Sequence, residues 1–185
     1  TTPGWLTWYT DTDKYSREKL EGDLERLRSF YLDRGYLEFS VEPPQVTISP
    51  DRKDIRITIT VHEGEPYKVR SVKLAGNLIG LDKEINALVK VKPDETFSAA
   101  KANDSAKAIT DYLGELGYAF ANVNPNPQLD RAKHEADLTF YVDPSRRVYV
   151  RRIQIGGNTR TRDEVVRREM RQQEAAWYDA KDIKT

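Results

Sequence analysis

Between Tyr67 and Leu74 the apolar positions are Val69, Val72 and Leu74, with the alternation slipping by one residue at Arg70-Ser71. That pattern predicts a bulged β-strand, and the same slip recurs at Arg151-Arg152 between Val148, Val150 and Ile153, Ile155. Gly76-Asn77 and Gly157-Asn158 close the two strands, since both residue types tolerate the positive φ of a sharp exit. Leu81, Ile85, Leu88 and Val89 then fall at helical spacing and predict a one-sided helix ending before Pro93. A second helix is expected from Phe97-Ser98, with Ser98 as its cap, Ala102, Ala106, Ile109, Tyr112 and Leu113 on one face, and Gly117 at its end. Tyr15, a capping Ser16, Leu20, Leu24, Leu27, Tyr31 and Gly35 spell the same helix earlier in the chain. Each second helix is followed by a strand bearing prolines, Pro43-Pro44 in one case and Pro125 with Pro127 in the other, which argues for a sheet edge. Next come strict alternators: Ile55, Ile57, Ile59 and Val61, and later Leu138, Phe140 and Val142, each a strand with one face on the core. The predicted unit is β-α-α-β-β, an α+β fold with a three-stranded mixed sheet covered on one face by two helices.

The unit repeats. VHEGEPYKVRSVKLAGN from Val61 aligns with VDPSRRVYVRRIQIGGN from Val142, and Gly157 stands 81 positions after Gly76. YLDRGYLEFSVEP and LGELGYAFANVNP form a second matched pair, and Tyr15-Ser16, Phe97-Ser98 and Tyr178-Asp179 a third marker. The chain therefore divides into a partial unit at 1–66, a complete one at 67–145 and the start of another at 146–185.

Composition refines this picture in two ways. With 38% hydrophobic and 32% charged residues, each unit buries a modest core. The net charge of zero conceals a gradient: 9 basic against 13 acidic residues in 1–66, 10 against 11 in 67–145, and 11 against 6 in 146–185. There are no cysteines, so disulfides and thiolate metal sites are excluded. No apolar run approaches the roughly 20 residues of a membrane-spanning helix. No secretion signal is visible at the start of the chain.

The residues offer little chemistry of the enzymatic kind. His62 and His134 have no partner histidine at helical spacing, and Gly76-x-x-x-Gly80 lacks the Lys-Ser/Thr of a phosphate loop, so no catalytic, cofactor or metal residues are expected. The edge strands are better candidates, because an unpaired strand accepts another extended chain through backbone hydrogen bonds. Gln45, Val46, Thr47 and Ile48 form a proline-free stretch, and Phe120, Asn122 and Val123 precede the prolines of the second copy. The prolines can equally serve to blunt those edges against aggregation. Between Arg146 and Arg171 nine arginines meet three acids, which also suits phosphate binding; a nucleic-acid-binding repeat protein is the alternative reading, although no aromatic ladder accompanies the arginines. Trp5, Trp8 and Tyr9 fit a loop tucked onto its own unit better than the alternative, an apolar patch that binds a client.

The repeat of β-α-α-β-β units, with strands ending in Gly-Asn and second helices ending in Gly-Tyr, resembles the POTRA (polypeptide-transport-associated) domain. DLERLRSFYLDRGY, VHEGEPYKVRSVKLAGNL and VVRREMRQQEAAWY are similar to the corresponding stretches of the BamA family of outer-membrane assembly factors. The resemblance implies the third, fourth and fifth modules of a periplasmic array, placed before a membrane barrel that this chain does not contain. It implies a non-enzymatic scaffold on the periplasmic side of the bacterial outer membrane. Its partners would be unfolded outer-membrane β-barrel proteins and accessory lipoproteins, with Arg167, Arg171 and Glu174 as lipoprotein contacts and no nucleic acid or cofactor. A second expectation concerns the partial units: the strand and helix at one end of a chain are the parts missing at the other, which makes exchange between copies a route to self-association.

Overall fold

A computed structural model describes residues 12–48, 50 and 55–184. In the second copy, β5 (Lys68–Gly76), β6 (Asn122–Asp130) and β7 (Glu135–Asp143) form a three-stranded sheet in the order β5-β7-β6. β5 runs parallel to β7 and β6 antiparallel to it, so the sheet is mixed. Two helices, α2 (Asp82–Ala87) and α3 (Ala99–Glu115), complete the unit. Val69, Val123, Leu138, Phe140 and Val142 on one face of the sheet pack with Ile85, Ala102, Ala106, Ile109 and Leu113 to form the core. That one face is apolar follows from the alternation of β7, whose even-numbered residues are buried and whose odd-numbered ones stand on an open face.

The local signals act as their chemistry requires. The Ser98 hydroxyl accepts from the Lys101 N–H at 3.3 Å and caps α3. The register of β5 against β7 shifts between Val69 and Ser71, which is the bulge. Gly76 has φ +94°, and a Cβ there would lie 2.3 Å from the Val142 carbonyl, so only glycine fits. Asn77 then accepts from the Ile79 N–H at 3.1 Å and turns the chain toward α2.

The first copy contributes α1 (Thr12–Leu32) and two short ladders, β1 (Ser40–Val41) with β4 (Val61–His62) and β2 (Gln45–Ile48) with β3 (Ile55–Thr58). Here the expected cap is corrected, for α1 starts at Thr12 and Ser16 lies inside it. The expected single strand from Ile55 to Val61 is also interrupted. Val41 pairs with Val61 and Glu42 donates to the Thr60 carbonyl, but Gln45 pairs with Thr58, leaving Pro43 and Pro44 both opposite Ile59. A bulge accommodates two adjacent prolines because its extra residue needs no ladder partner. Trp5, Trp8 and Tyr9 lie outside the described residues.

The third copy holds β8 (Tyr149–Val150), α4 (Asp163–Glu169), β9 (Ala176–Trp177) and α5 (Ala180–Lys184). Its expected strand through Ile155 is cut to two residues. In the second copy the matching strand leans on β7, whose equivalent would fall 81 positions further on, past Thr185.

Successive copies are joined by one repeated device. The Gly35 carbonyl accepts from Tyr67 N–H at 2.9 Å, and the Gly117 carbonyl accepts from Val148 N–H at 2.8 Å. At the first joint Tyr67 is fully buried, its hydroxyl donating to Glu38 at 3.0 Å, while Arg131 also donates to Glu38 at 2.7 Å. Asp33 reaches across to accept from the Ala100 N–H at 2.7 Å, in the first turn of α3. Burial, followed by the Glu38 hydrogen bond, pushes the Tyr67 phenol up from its ordinary value.

Candidate functional site

The direction in which each edge residue points its N–H and C=O decides what a sheet edge can do. In the second sheet the Asn77 N–H donates to the Val142 carbonyl and the Lys68 N–H to the His134 carbonyl. In a parallel pair each residue sends both groups to the same side, so Ser71, Lys73 and Ala75 face β7 while Val72 and Leu74 face outward. The even residues of β7 are thereby spent on β5, and its odd residues face β6. Asn122, Asn124, Asn126, Gln128 and Asp130 of β6 are their partners. Val123, Pro125, Pro127 and Leu129 point away from the sheet.

Both prolines of β6 therefore occupy outward positions, where their missing N–H costs the ladder nothing. They also remove two consecutive donors from the free edge. Of the residues expected to dock a strand here, Asn122 spends its backbone on β7, and Phe120 precedes the strand with 73% of its surface exposed. Val123 alone of the three presents an outward N–H and C=O.

In the first copy the parity works the other way. The Glu42 bond places the Thr60 carbonyl toward the edge strand, and the Arg56 carbonyl, two steps of two away, accepts from the Thr47 hydroxyl at 3.5 Å. Gln45 and Thr47 thus face β3, and Val46 and Ile48 turn outward with their donors intact. The structure brings Gln45, Val46, Thr47 and Ile48 together as one edge strand, β2, with the prolines set to one side of it.

The arginine-rich third copy is more self-contained than its composition suggests. Arg167 donates to Glu174 at 2.8 Å, to Asp163 at 3.3 Å and to the Ile153 carbonyl at 2.9 Å. Glu174 in turn accepts from the Ile153 N–H at 2.8 Å. That backbone bond, then Arg167, holds the Glu174 carboxyl below its ordinary range, and Glu174, then Asp163, pushes the Arg167 guanidinium up. Arg171 is exposed. Arg147 lies over the Trp177 ring at 4.5 Å and donates to the Leu116 carbonyl at 3.0 Å. Two of the three expected lipoprotein contacts therefore hold each other and one stretch of backbone.

Other polar groups serve the fold. Arg70, at the β5 bulge, pairs with Asp137, Asp130 and Glu135, and Ser71 donates to Asp137 at 2.5 Å. Hydrogen bonds from Arg70, then Ser71, hold the Asp137 carboxyl at about 2, below its usual 3.8. His62 sits 2.9 Å from Glu42. Among the described residues no group of three or more His, Cys, Asp or Glu could hold a metal ion, and no helix is long and apolar enough to cross a membrane. The joint residues Glu38 and Arg131 escaped the sequence reading, and Val72 and Leu74 stood in it only as apolar strand positions, their outward backbone groups unseen. Only the backbone parity and the contact between copies reveal them.

A β-α-α-β-β unit with a mixed sheet, repeated in series and joined through a helix-terminal glycine, is a polypeptide-transport-associated module. The POTRA family (surface antigen variable number repeat) matches residues 2–64, 67–145 and 148–185, and the chain belongs to it. Among curated relatives it is 36% identical over 95% of its length to the outer membrane protein assembly factor BamA of Buchnera aphidicola, and 32% identical over 95% to that of Neisseria meningitidis. It spans 29% and 22% of those two proteins, less than a third of either. The crystal structure of Haemophilus influenzae BamA POTRA3-5 superposes with a TM-score of 0.81 at 36% identity, covering 89% of this chain and 65% of that one.

Proposed function

We propose that this chain is a non-enzymatic periplasmic scaffold in the assembly of outer-membrane β-barrel proteins. Its three modules divide at 66/67 and 145/146. It docks unfolded client segments by β-augmentation and holds accessory lipoproteins beside the membrane barrel that the family resemblance implies. The observation that carries the docking role is the edge of β2: Val46 and Ile48 present outward N–H and C=O groups free of proline. Two such residues offer four backbone hydrogen bonds, each contributing about 1 kcal/mol net. That is enough for weak, sequence-tolerant and reversible capture, which suits a scaffold that must release its client. The relatives named as assembly factors supply the client class. For the lipoprotein, Arg171 offers an exposed cation beside the ordered Arg167–Glu174 pair.

Amide NMR shifts of the whole chain, recorded while an extended peptide copied from an outer-membrane barrel strand is titrated in, test the reading. Shifts centred on residues 45–48 are expected. The absence of shifts anywhere on the chain at millimolar peptide overturns the docking role. For the lipoprotein contact, Arg171→Glu should weaken co-purification with the lipoproteins of the assembly complex while the amide spectrum of the rest of the chain is retained.

A further inference from the structure

The outer edge of β5 is already augmented once by the chain itself. Val69 donates to the Glu95 carbonyl at 2.8 Å and accepts from the Asp94 N–H at 2.8 Å, the Phe97 N–H donates to Tyr67, and Lys68 bridges Thr96 in antiparallel sense. Asp94, at φ +66°, then turns this short strand away at the bulge. The third copy repeats the arrangement: Ala175 donates to Val150 at 2.8 Å, Tyr178 to Val148 at 2.9 Å, Tyr149 pairs with Trp177 and Val150 with Ala176, and Ala175 has φ +58°.

The two copies part at the next outward residue, Val72 in one and Ile153 in the other, 81 positions apart. Ile153 has both backbone groups covered, its N–H by Glu174 and its carbonyl by Arg167. The residues standing 81 positions before Arg167 and Glu174 are Asn86 and Pro93, and neither bonds to Val72. Among the described residues, the outward groups of Val72 and Leu74 have no partner. With Pro125 and Pro127 closing the middle of the opposite edge, the complete module has one usable edge.

We infer that the outer edge of β5 at Val72 and Leu74 is a strand-docking site of the complete module, and that the Arg167–Glu174 pair is the cap that closes the same site in the third copy. The occupant is an extended segment in which apolar and polar residues alternate, antiparallel to β5 as residues 94–97 already are. One face of that segment would continue the layer of partly buried Val72 and Leu74 beside the helices, and the other would lie alongside exposed Lys73 on the open face. This rests on the β-augmentation reading above and adds a second edge to it, with its own pattern requirement.

The test is a titration of the whole chain with a short synthetic peptide of alternating valine and threonine, and with the same peptide N-methylated at alternate residues. Amide shifts at residues 72–76 are expected with the first peptide and not with the second. Val72→Pro should abolish them while shifts at 45–48 persist, and the N-methylated peptide gives the same discrimination if the variant does not fold. Glu174→Ala should produce new shifts at Ile153. Shifts at 45–48 without any at 72–76 overturn this inference and leave the scaffold reading standing. No shifts at either edge overturn both. Shifts at 123–129, equal binding of the N-methylated peptide, or an Ile153 amide still unresponsive in Glu174→Ala, each overturn the edge assignment or its cap.

Discussion

Two prolines stand at matching places in the first and second copies, and the backbone accommodates them differently. In β6, Pro125 and Pro127 are two apart, so both fall on the outward side and the strand runs unbroken from Asn122 to Asp130. In the first copy Pro43 and Pro44 are adjacent, and alternation forbids both from pointing outward in a regular strand. They occupy a bulge opposite Ile59, and the ladder resumes at Gln45. The consequence is opposite in kind. Spacing by two shuts the middle of an edge without harming the sheet, whereas adjacency interrupts the sheet and leaves Val46 and Ile48 of the strand that follows open to a partner.

The largest effect that bears on this contrast is Asn126→Pro. Asn126 faces β7, so the substitution removes a ladder donor and leaves its acceptor unpaired, which should cost roughly 1–3 kcal/mol in urea unfolding. A stability close to the parent would mean that the inward and outward assignments of β6 are reversed. Val46→Pro comes next, because it removes an outward donor of β2: it should weaken peptide capture at 45–48 by about fivefold and change stability by less than about 1 kcal/mol.

Asp137→Asn probes the bulge on the other strand of the complete sheet. The Asp137 carboxyl is held at about 2 against 3.8, so its stabilising contribution is complete above the higher value and is lost as the pH falls from 3.8 toward 2. The variant should therefore be less stable at neutral pH and lose less than the parent over that acid window, read by circular dichroism against pH. The smallest effect expected is that of Pro127→Ala, which restores one outward N–H and should change stability by less than about 1 kcal/mol.

Much of the module was legible because its signals are local. The slip at Arg70-Ser71, the Ser98 cap, the Gly76-Asn77 exit and the alternation of β7 each depend on a residue's own backbone preference or on contact with its near neighbours, and each appears in the structure. Ser16, expected as a cap, lies inside its helix instead. The strand expected from Ile55 to Val61 was interrupted by prolines that lie far from it in sequence. Arg167 and Glu174 stood out as charged residues in a basic segment, but their hold on the Ile153 backbone depends on how α4 and the turn before β9 meet.

By itself the sequence determined the repeat, the order of the main elements in the complete unit, its core positions and the edge position of its proline-bearing strand. All of these follow from periodicity and from what proline and glycine permit. Only the tertiary structure decided which edge residues point outward, which of those are already covered, and how one copy locks onto the next. Those depend on register, and a register is a relation between two strands that neither strand carries alone.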